Sequence, residues 1–275
     1  MNDALIIKML SIVPRKCLSW TQGAFTRTGV SRILMNWYIK HYGVNTAEMV
    51  GTKEDYSSLS QFFVRPLIEG ARPVCADLDA LVSPSDGRAV AFGQVLNNTI
   101  SLPDGQELSV EMLSKHADKF SGGSYLIIYL APPDYHRVHS PVKGTITGYN
   151  YLPGHLWPVF PVAVRDVRDL FGRNERLLIH FQSEKAGSIG LIMVGAYGVG
   201  RMETTFCDVV TNSGGKAEAR ELDKAANVEK GSEIGRFNMG STVIMLFEPG
   251  CVEFEMELDQ VVCMGQRIGK CLGAG

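Results

Sequence analysis

A glycine directly before a serine, at the mouth of an apolar run, gives a chain a way to do chemistry on itself. Phe237-Asn238-Met239-Gly240-Ser241-Thr242 precedes the run Val243 to Phe247. Glycine has no Cβ, so another group can reach its carbonyl. The Ser241 hydroxyl is one residue from the Gly240 carbonyl. With a base to take its proton, it can attack that carbonyl and convert the amide to an ester, most readily where the peptide is strained. The plainer reading is a turn into a strand. A base is available in Pro132-Pro133-Asp134-Tyr135-His136-Arg137-Val138-His139-Ser140-Pro141, where two histidines stand three residues apart in a segment closed by prolines. Histidine titrates near neutrality and can take a proton from a serine. Asp86, in Ser85-Asp86-Gly87, is either a turn former or an acid that orients a histidine. Asp, His and Ser could then form a relay. No Gly-x-Ser-x-Gly elbow is present, so an ordinary α/β-hydrolase is not expected.

The elements that must position these groups are short. At 275 residues the chain holds one large domain or two small ones. A net charge of −2 hides an asymmetry: residues 1–45 carry Lys8, Arg15, Lys16, Arg27, Arg32 and Lys40 against Asp3 alone. A basic start on an acidic body suggests that one end meets an anionic surface. The six cysteines are scattered, without metal-site spacing, and read as reduced, mostly packed thiols. No apolar run reaches the length of a membrane-spanning helix. Ala4 to Val13 ends in Pro14-Arg15-Lys16, with its charge after the apolar part, unlike a signal peptide.

Residues 4–42 read as largely helical, although the Trp20 and Phe25 spacing around Gly23 is not. Val30, Ile33, Leu34, Trp37 and Tyr38, interleaved with Arg27, Arg32 and Lys40, describe a helix lying at a membrane interface. The alternative is a helical cap on a core. Nucleic-acid binding fits less well, because large aliphatics dilute the basic groups. Leu59 to Leu67 is a short apolar segment stopped by Pro66, a hinge to the main domain. From about residue 78 short strands are predicted: Leu81-Val82, Ala89-Val90, Tyr125 to Leu130, Leu177 to Phe181, Leu191 to Val199, and an alternating strand from Val252 to Leu258. Gln106 to His116 is predicted as one short helix and Ser213 to Lys230 as a loop. His155 to Val162 is either a lipid-facing loop or a buried connection. The expected fold is α+β: N-terminal amphipathic helices (1–58), then a β-rich, sandwich- or barrel-like catalytic domain (59–275).

Taken together, Ser-Asp-Gly, Pro-x-Asp-Tyr-His-Arg-Val-His and Gly-Ser-Thr in this order resemble the phosphatidylserine decarboxylase family, in its bacterial, membrane-associated form. Ser60-Gln61-Phe62-Phe63-Val64-Arg65-Pro66-Leu67, Tyr151-Leu152-Pro153-Gly154, Leu170 to Arg176 and Gly235-Arg236-Phe237 extend the likeness from about residue 55 to the end. Met239 departs from it, standing where bacterial members usually carry leucine. The resemblance implies a self-processing enzyme. His139 would deprotonate Ser241, Asp86 would hold His139, and Ser241 would attack Gly240. The products would be a β chain (1–240) and an α chain (241–275) that stay together as a heterodimer, with Ser241 converted to a pyruvoyl group. That group would form a Schiff base with phosphatidylserine, and His136 would assist loss of CO2 and reprotonation, giving phosphatidylethanolamine. No metal is implied, homo-oligomerisation is left open, and the expected location is the cytoplasmic side of the cell membrane, held peripherally. Three rival readings remain at this point: an Asp-His-Ser hydrolase or autoprotease, a non-enzymatic membrane-binding β module, and a pyruvoyl decarboxylase of a soluble amino acid.

Overall fold

Strand-forming segments dominate the second two-thirds of the chain, and the architecture follows from how they pair. The computed structural model describes residues 15–102, 105–197, 201–212, 216–238 and 241–273. It is 39% strand and 19% helix, which makes it α+β with a β-rich main domain, as expected. The strands are β1 (Ala80–Val82), β2 (Gly87–Gln94), β3 (Thr99–Ser101), β4 (Glu107–Ser109), β5 (Ser124–Leu130), β6 (Arg137–His139), β7 (Gly144–Leu152) and β8 (Arg176–Ser183). They continue as β9 (Gly187–Gly195), β10 (Met202–Thr204), β11 (Glu218–Val228), β12 (Glu233–Phe237), β13 (Ser241–Phe247), β14 (Val252–Phe254), β15 (Val261–Val262) and β16 (Arg267–Cys271).

Eight of them form one antiparallel sheet in the order β11-β7-β8-β9-β13-β5-β2-β15. Its edge strands β11 and β15 are not paired with each other, so no barrel closes among the described residues. β13 lies well inside this sheet and is buried along its whole length. Side chains alternate across a sheet, and here both sides are covered. Val243, Met245 and Phe247 join a core with Ile179, Phe181, Val138, Ile234 and Ile268, under the small sheets β10-β12-β6 and β1-β16-β14. Ile244 and Leu246 join a second core with Leu178, Ile192, Val110, Leu113, Phe120 and Phe171, under short helices. A strand buried on both faces needs a continuous apolar run, which is what Val243 to Phe247 supplies.

The N-terminal part is helical, with helices Arg15–Thr26 and Met35–Tyr42 joined by a 3-10 turn, Gly29–Leu34. Gly43, in the left-handed conformation, ends the second helix. Helix Leu59–Phe63 is capped by the Ser58 hydroxyl and stops before Pro66. Its Leu59, Phe62 and Phe63 pack with Met35, Tyr38, Met49 and Tyr56 in a third cluster.

Several expectations are corrected. Helix Arg15–Thr26 runs through Trp20, Gly23 and Phe25 without a break. Gln106 to His116 is not one helix: β4 pairs with β3, and only Val110–Leu113 coils. Ser213 to Lys230 contains the longest strand, β11. That strand escaped the period-of-two test because it is a mostly exposed edge strand: only Leu222, Ala226 and Val228 rest partly on the core, and its charges discourage further pairing. The alternation from Val252 is strand only to Phe254; Glu257 to Gln260 turns, leaving Leu258 exposed. His155 to Val162 is a buried connection at Leu156, Trp157 and Val159, so these side chains do not face lipid. The apolar rhythm of Leu5 to Val13 falls outside the described residues.

Candidate active site

Ser241 opens β13, paired with Leu130 at the end of β5 on one side and Gly195 at the end of β9 on the other. It is fully buried, and its hydroxyl has no hydrogen-bond partner among the described residues. A buried, unpaired hydroxyl costs free energy, on the order of 1–3 kcal/mol. Such a cost calls for an explanation, and a reactive role is one. Met239 and Gly240 lie outside the described residues. Their two flanks are fixed by the same loop, however. The Phe237 N–H donates to the His136 carbonyl at 3.0 Å, and Ser241 pairs with Leu130. Residues 131–136 therefore run beside the gap between β12 and β13.

This loop is tightly held. The Asp134 carboxylate accepts from the Ala131 N–H at 2.7 Å, and the Asp134 N–H donates back to the Ala131 carbonyl at 3.0 Å. Burial pushes the Asp134 carboxyl up to about 6. The Tyr38 hydroxyl donates to the Pro132 carbonyl at 2.5 Å, and Arg65 Nη2 donates to the Pro133 carbonyl at 2.8 Å. Arg137 returns the tie, donating from Nε and Nη2 to the Val64 carbonyl. The helical front and the histidine loop are thus joined directly.

His136 is fully buried, its ring tilted against Phe63 with centroids 4.0 Å apart. Its Nδ1 lies 2.8 Å from the Asp134 carbonyl, which can only accept, so Nδ1 carries the hydrogen. Nε2 carries no hydrogen and has no partner among the described residues. Burial pulls the imidazole down to about 3, so the ring is neutral at physiological pH.

His139 ends β6. Its N–H donates to the Pro84 carbonyl at 2.7 Å, which brings it beside the Ser83–Asp86 turn. Nδ1 lies 2.8 Å from the Gly231 carbonyl and Nε2 lies 3.2 Å from the Tyr135 hydroxyl. Burial holds this imidazole below its ordinary value, with the Gly231 carbonyl opposing.

Asp86 is positioned by the turn into β2. Gly87 has φ +150°, and a Cβ there would sit 2.5 Å from the Tyr129 carbonyl oxygen, so only glycine fits. Gly87→Ala is expected to destabilise the protein by about 2 kcal/mol or more, read as a lower urea midpoint at unchanged slope. The Asp86 carboxylate is gripped by Arg72, from Nε at 2.8 Å and Nη2 at 2.6 Å, and by the Met264 N–H at 2.8 Å. Arg72 is tied in turn to Glu48 at 2.9 Å. The structure therefore brings Asp86 and His139 to one turn, but the acceptor on His139 Nδ1 is a backbone carbonyl rather than Asp86. The charge of Asp86 is still felt there, favouring the protonated ring, though less than Glu233 does.

Arg72, Tyr135, Phe63, Arg65 and Gly231 were not singled out from the sequence. Tyr135 stood inside the histidine motif, yet nothing in its spacing gave it a task. Arg72 precedes a proline in an irregular stretch where no periodicity applies. Among the described residues, no cluster of three or more potential ligands could hold a metal, and the five described cysteines are free thiols.

Residues 59–270 match the family model described as phosphatidylserine decarboxylase. A phosphatidylserine decarboxylase proenzyme of Myxococcus xanthus is 40% identical, the match covering 98% of this chain and 99% of the relative. Proteins of the same name from Anaeromyxobacter sp. and Brevibacillus brevis are 38% and 36% identical, covering 99% and 98% of this chain.

Proposed function

Because this chain belongs to the phosphatidylserine decarboxylase family, and is a decarboxylase with it, we propose that it cuts itself between Gly240 and Ser241 and uses the resulting pyruvoyl group to convert phosphatidylserine to phosphatidylethanolamine. One observation carries this reading. The Ser241 hydroxyl is buried and has no partner among the described residues at the start of an interior strand, and Phe237 and Ser241 are paired with His136 and Leu130, the two ends of one segment.

In the cleavage step the Ser241 Oγ–H loses its proton toward His139, and Oγ bonds to the Gly240 carbonyl carbon. The Gly240–Ser241 C–N bond breaks as its nitrogen takes that proton, leaving an ester. Loss of the Ser241 α-hydrogen expels the Gly240 carboxylate. The dehydroalanine that remains takes up water and releases ammonia, giving the pyruvoyl end of chain 241–275. The position suits that group: its neighbours across the sheet are Gly195, which has no side chain, and Leu130, and no hydrogen bond to the serine hydroxyl has to be broken.

Once formed, the pyruvoyl group supplies a carbonyl conjugated to an amide, an electron acceptor that ordinary side chains lack. His136 offers its bare Nε2 as the atom that holds a proton near the substrate's α-carbon. The Phe63 ring and the surrounding burial keep water from the carboxylate to be lost. Asp86, clamped by Arg72, sets the charge around His139.

The helical front, residues 1–58, is the proposed membrane-associating segment, with residues 59–275 as the catalytic domain. Trp20, Val30, Ile33 and Trp37 are 55–74% exposed there. Such side chains beside Arg27, Arg32 and Lys40 suit an anionic bilayer surface. No described helix is long and apolar enough to cross a membrane. Peripheral binding at the cytoplasmic face of the cell membrane fits both facts. A serine hydrolase acting on external substrates fits less well, because Ser241 has no exposed surface.

Intact mass of the purified, active protein is the direct test. Two pieces are expected, 1–240 and 241–275, the smaller lacking a free amino group. A single uncut chain with full activity would defeat the mechanism.

A further inference from the structure

We propose that Tyr135 is a further catalytic residue of self-cleavage: its hydroxyl carries the proton from Ser241 to His139. The proposal deepens the reading above, in which His139 is the base.

The tautomer of His139 is fixed by its surroundings. A carbonyl oxygen has only lone pairs to offer, so the 2.8 Å contact to Gly231 requires a hydrogen on Nδ1. The placement of that carbonyl is built into the fold. Gly231 has φ +81°, and a Cβ there would sit 2.6 Å from a Val74 methyl. Its N–H donates to the Ser140 carbonyl at 2.9 Å, and the Ser140 N–H donates to the Ser232 carbonyl at 2.8 Å. With Nδ1 protonated, Nε2 has one lone pair, and that is the site where a proton can arrive.

The lone pair is already taken. The Tyr135 hydroxyl lies 3.2 Å away and donates to it. The phenol holds its proton firmly, because burial pushes it up to about 12. A serine hydroxyl cannot donate to the same lone pair while the phenol is on it. Either Tyr135 moves aside or the proton passes through it.

The structure argues against moving aside. Tyr135 is buried, its ring 5.6 Å from the His139 ring and tilted 35° to it. Both neighbours in the chain are pinned. The Asp134 carbonyl is bound to His136 Nδ1, and the His136 carbonyl accepts from Phe237, three residues before Gly240. A phenol oxygen is both donor and acceptor. No hydrogen bond joins Ser241 to Tyr135 in the structure; with the serine hydroxyl turned onto it for the reaction, the phenol oxygen takes the Ser241 proton while giving its own to Nε2. The bookkeeping closes: Ser241 O–H and Tyr135 O–H break, Tyr135 O–H and His139 Nε2–H form, and tyrosine ends as it began. The charged groups around the ring are mutually engaged. Glu233, opposite His139 in the sheet, is paired with Arg137 at 2.7 Å, and Asp86 with Arg72 at 2.6 Å. Neither carboxylate hydrogen-bonds to Nε2.

The experiment is Tyr135→Phe, followed by pulse-chase after cell-free translation of the full chain. Phenylalanine keeps the ring and removes one oxygen. Self-cleavage is expected to slow by about 100-fold or more, the usual worth of a lost proton-transfer group. A packing role would leave the rate unchanged. In mixtures of H2O and D2O, the wild-type rate is expected to bow, as two hydrogens in flight require. Cleavage of Tyr135→Phe at or above the wild-type rate would overturn the proposal, showing that the hydroxyl merely blocks the base. A strictly linear dependence on deuterium fraction, with a wild-type isotope effect, would overturn it as well. If the wild type is not cut after Gly240, or His139→Ala is still cut, the underlying reading fails instead.

Discussion

Ser241→Ala is expected to remain one uncut chain, to have no decarboxylase activity, and to be at least as stable as the wild-type precursor. The first two results follow from the missing hydroxyl, without which neither the ester nor the pyruvoyl group can form. The third follows from the structure. The Ser241 Oγ is buried and makes no hydrogen bond to any described residue, so folding strips it of water without compensation from them. Removing it leaves the pairing of β13 with Leu130 and Gly195 in place, because those bonds belong to the backbone. Alanine should therefore be neutral or stabilising by up to about 1 kcal/mol. Denaturing electrophoresis, turnover of phosphatidylserine in vesicles, and a urea melt compared with another uncut variant check the three parts. A loss of several kcal/mol would mean that the hydroxyl has a partner in residues 239–240. Cleavage of the alanine variant would remove Ser241 from the reaction altogether.

His136→Ala is expected to separate processing from turnover. The variant should still be cut, because His136 Nε2 faces no group of the Asp86–His139 turn in the structure; its own ring is held between the Asp134 carbonyl and Phe63. Turnover should fall by about 10²- to 10⁴-fold, the range for losing a general acid or base. The fall should appear in kcat, with KM little changed, if the ring acts on the reacting carbon rather than on binding. Because the ring is fully buried, some stability will also be lost, and melting curves must accompany the kinetics. An uncut product would move His136 into the processing step. A cut and fully active product would leave it with no chemical role.

Much of the site could be read from the sequence because its parts are local. A Gly-Ser step before five apolar residues and two histidines between prolines each declare themselves within ten residues. β13 was legible for the same reason: a strand covered on both faces has to be apolar at every position. The relations between parts were not legible. That Arg72 clamps Asp86, that Gly231 fixes the His139 tautomer, and that Tyr135 fills its lone pair all depend on residues brought together from distant positions. Edge strands were lost for a different reason. β11 is mostly exposed, with only Leu222, Ala226 and Val228 resting partly on the core, so burial imposes a weak pattern on it, and its charges read as loop. The apolar loop around Trp157 stayed open between lipid and a buried connection, since hydrophobicity alone cannot separate a side chain that meets lipid from one that meets the underside of a sheet; the structure has the buried connection.

If the chain is cut before Ser241 as proposed, the place of β13 in the sheet makes that maturation a one-way street. Once the bond before Ser241 is broken, the interior strand of the main sheet belongs to a short separate peptide, seven of whose residues are laced to a neighbour on each side. While the protein stays folded the peptide has no route out. After a single complete melting, the pieces drift apart, and reassembly would need two molecules to meet and a strand to thread back between partners that have already collapsed. On that proposal an uncut chain would be expected to refold after melting, and the cut protein would not.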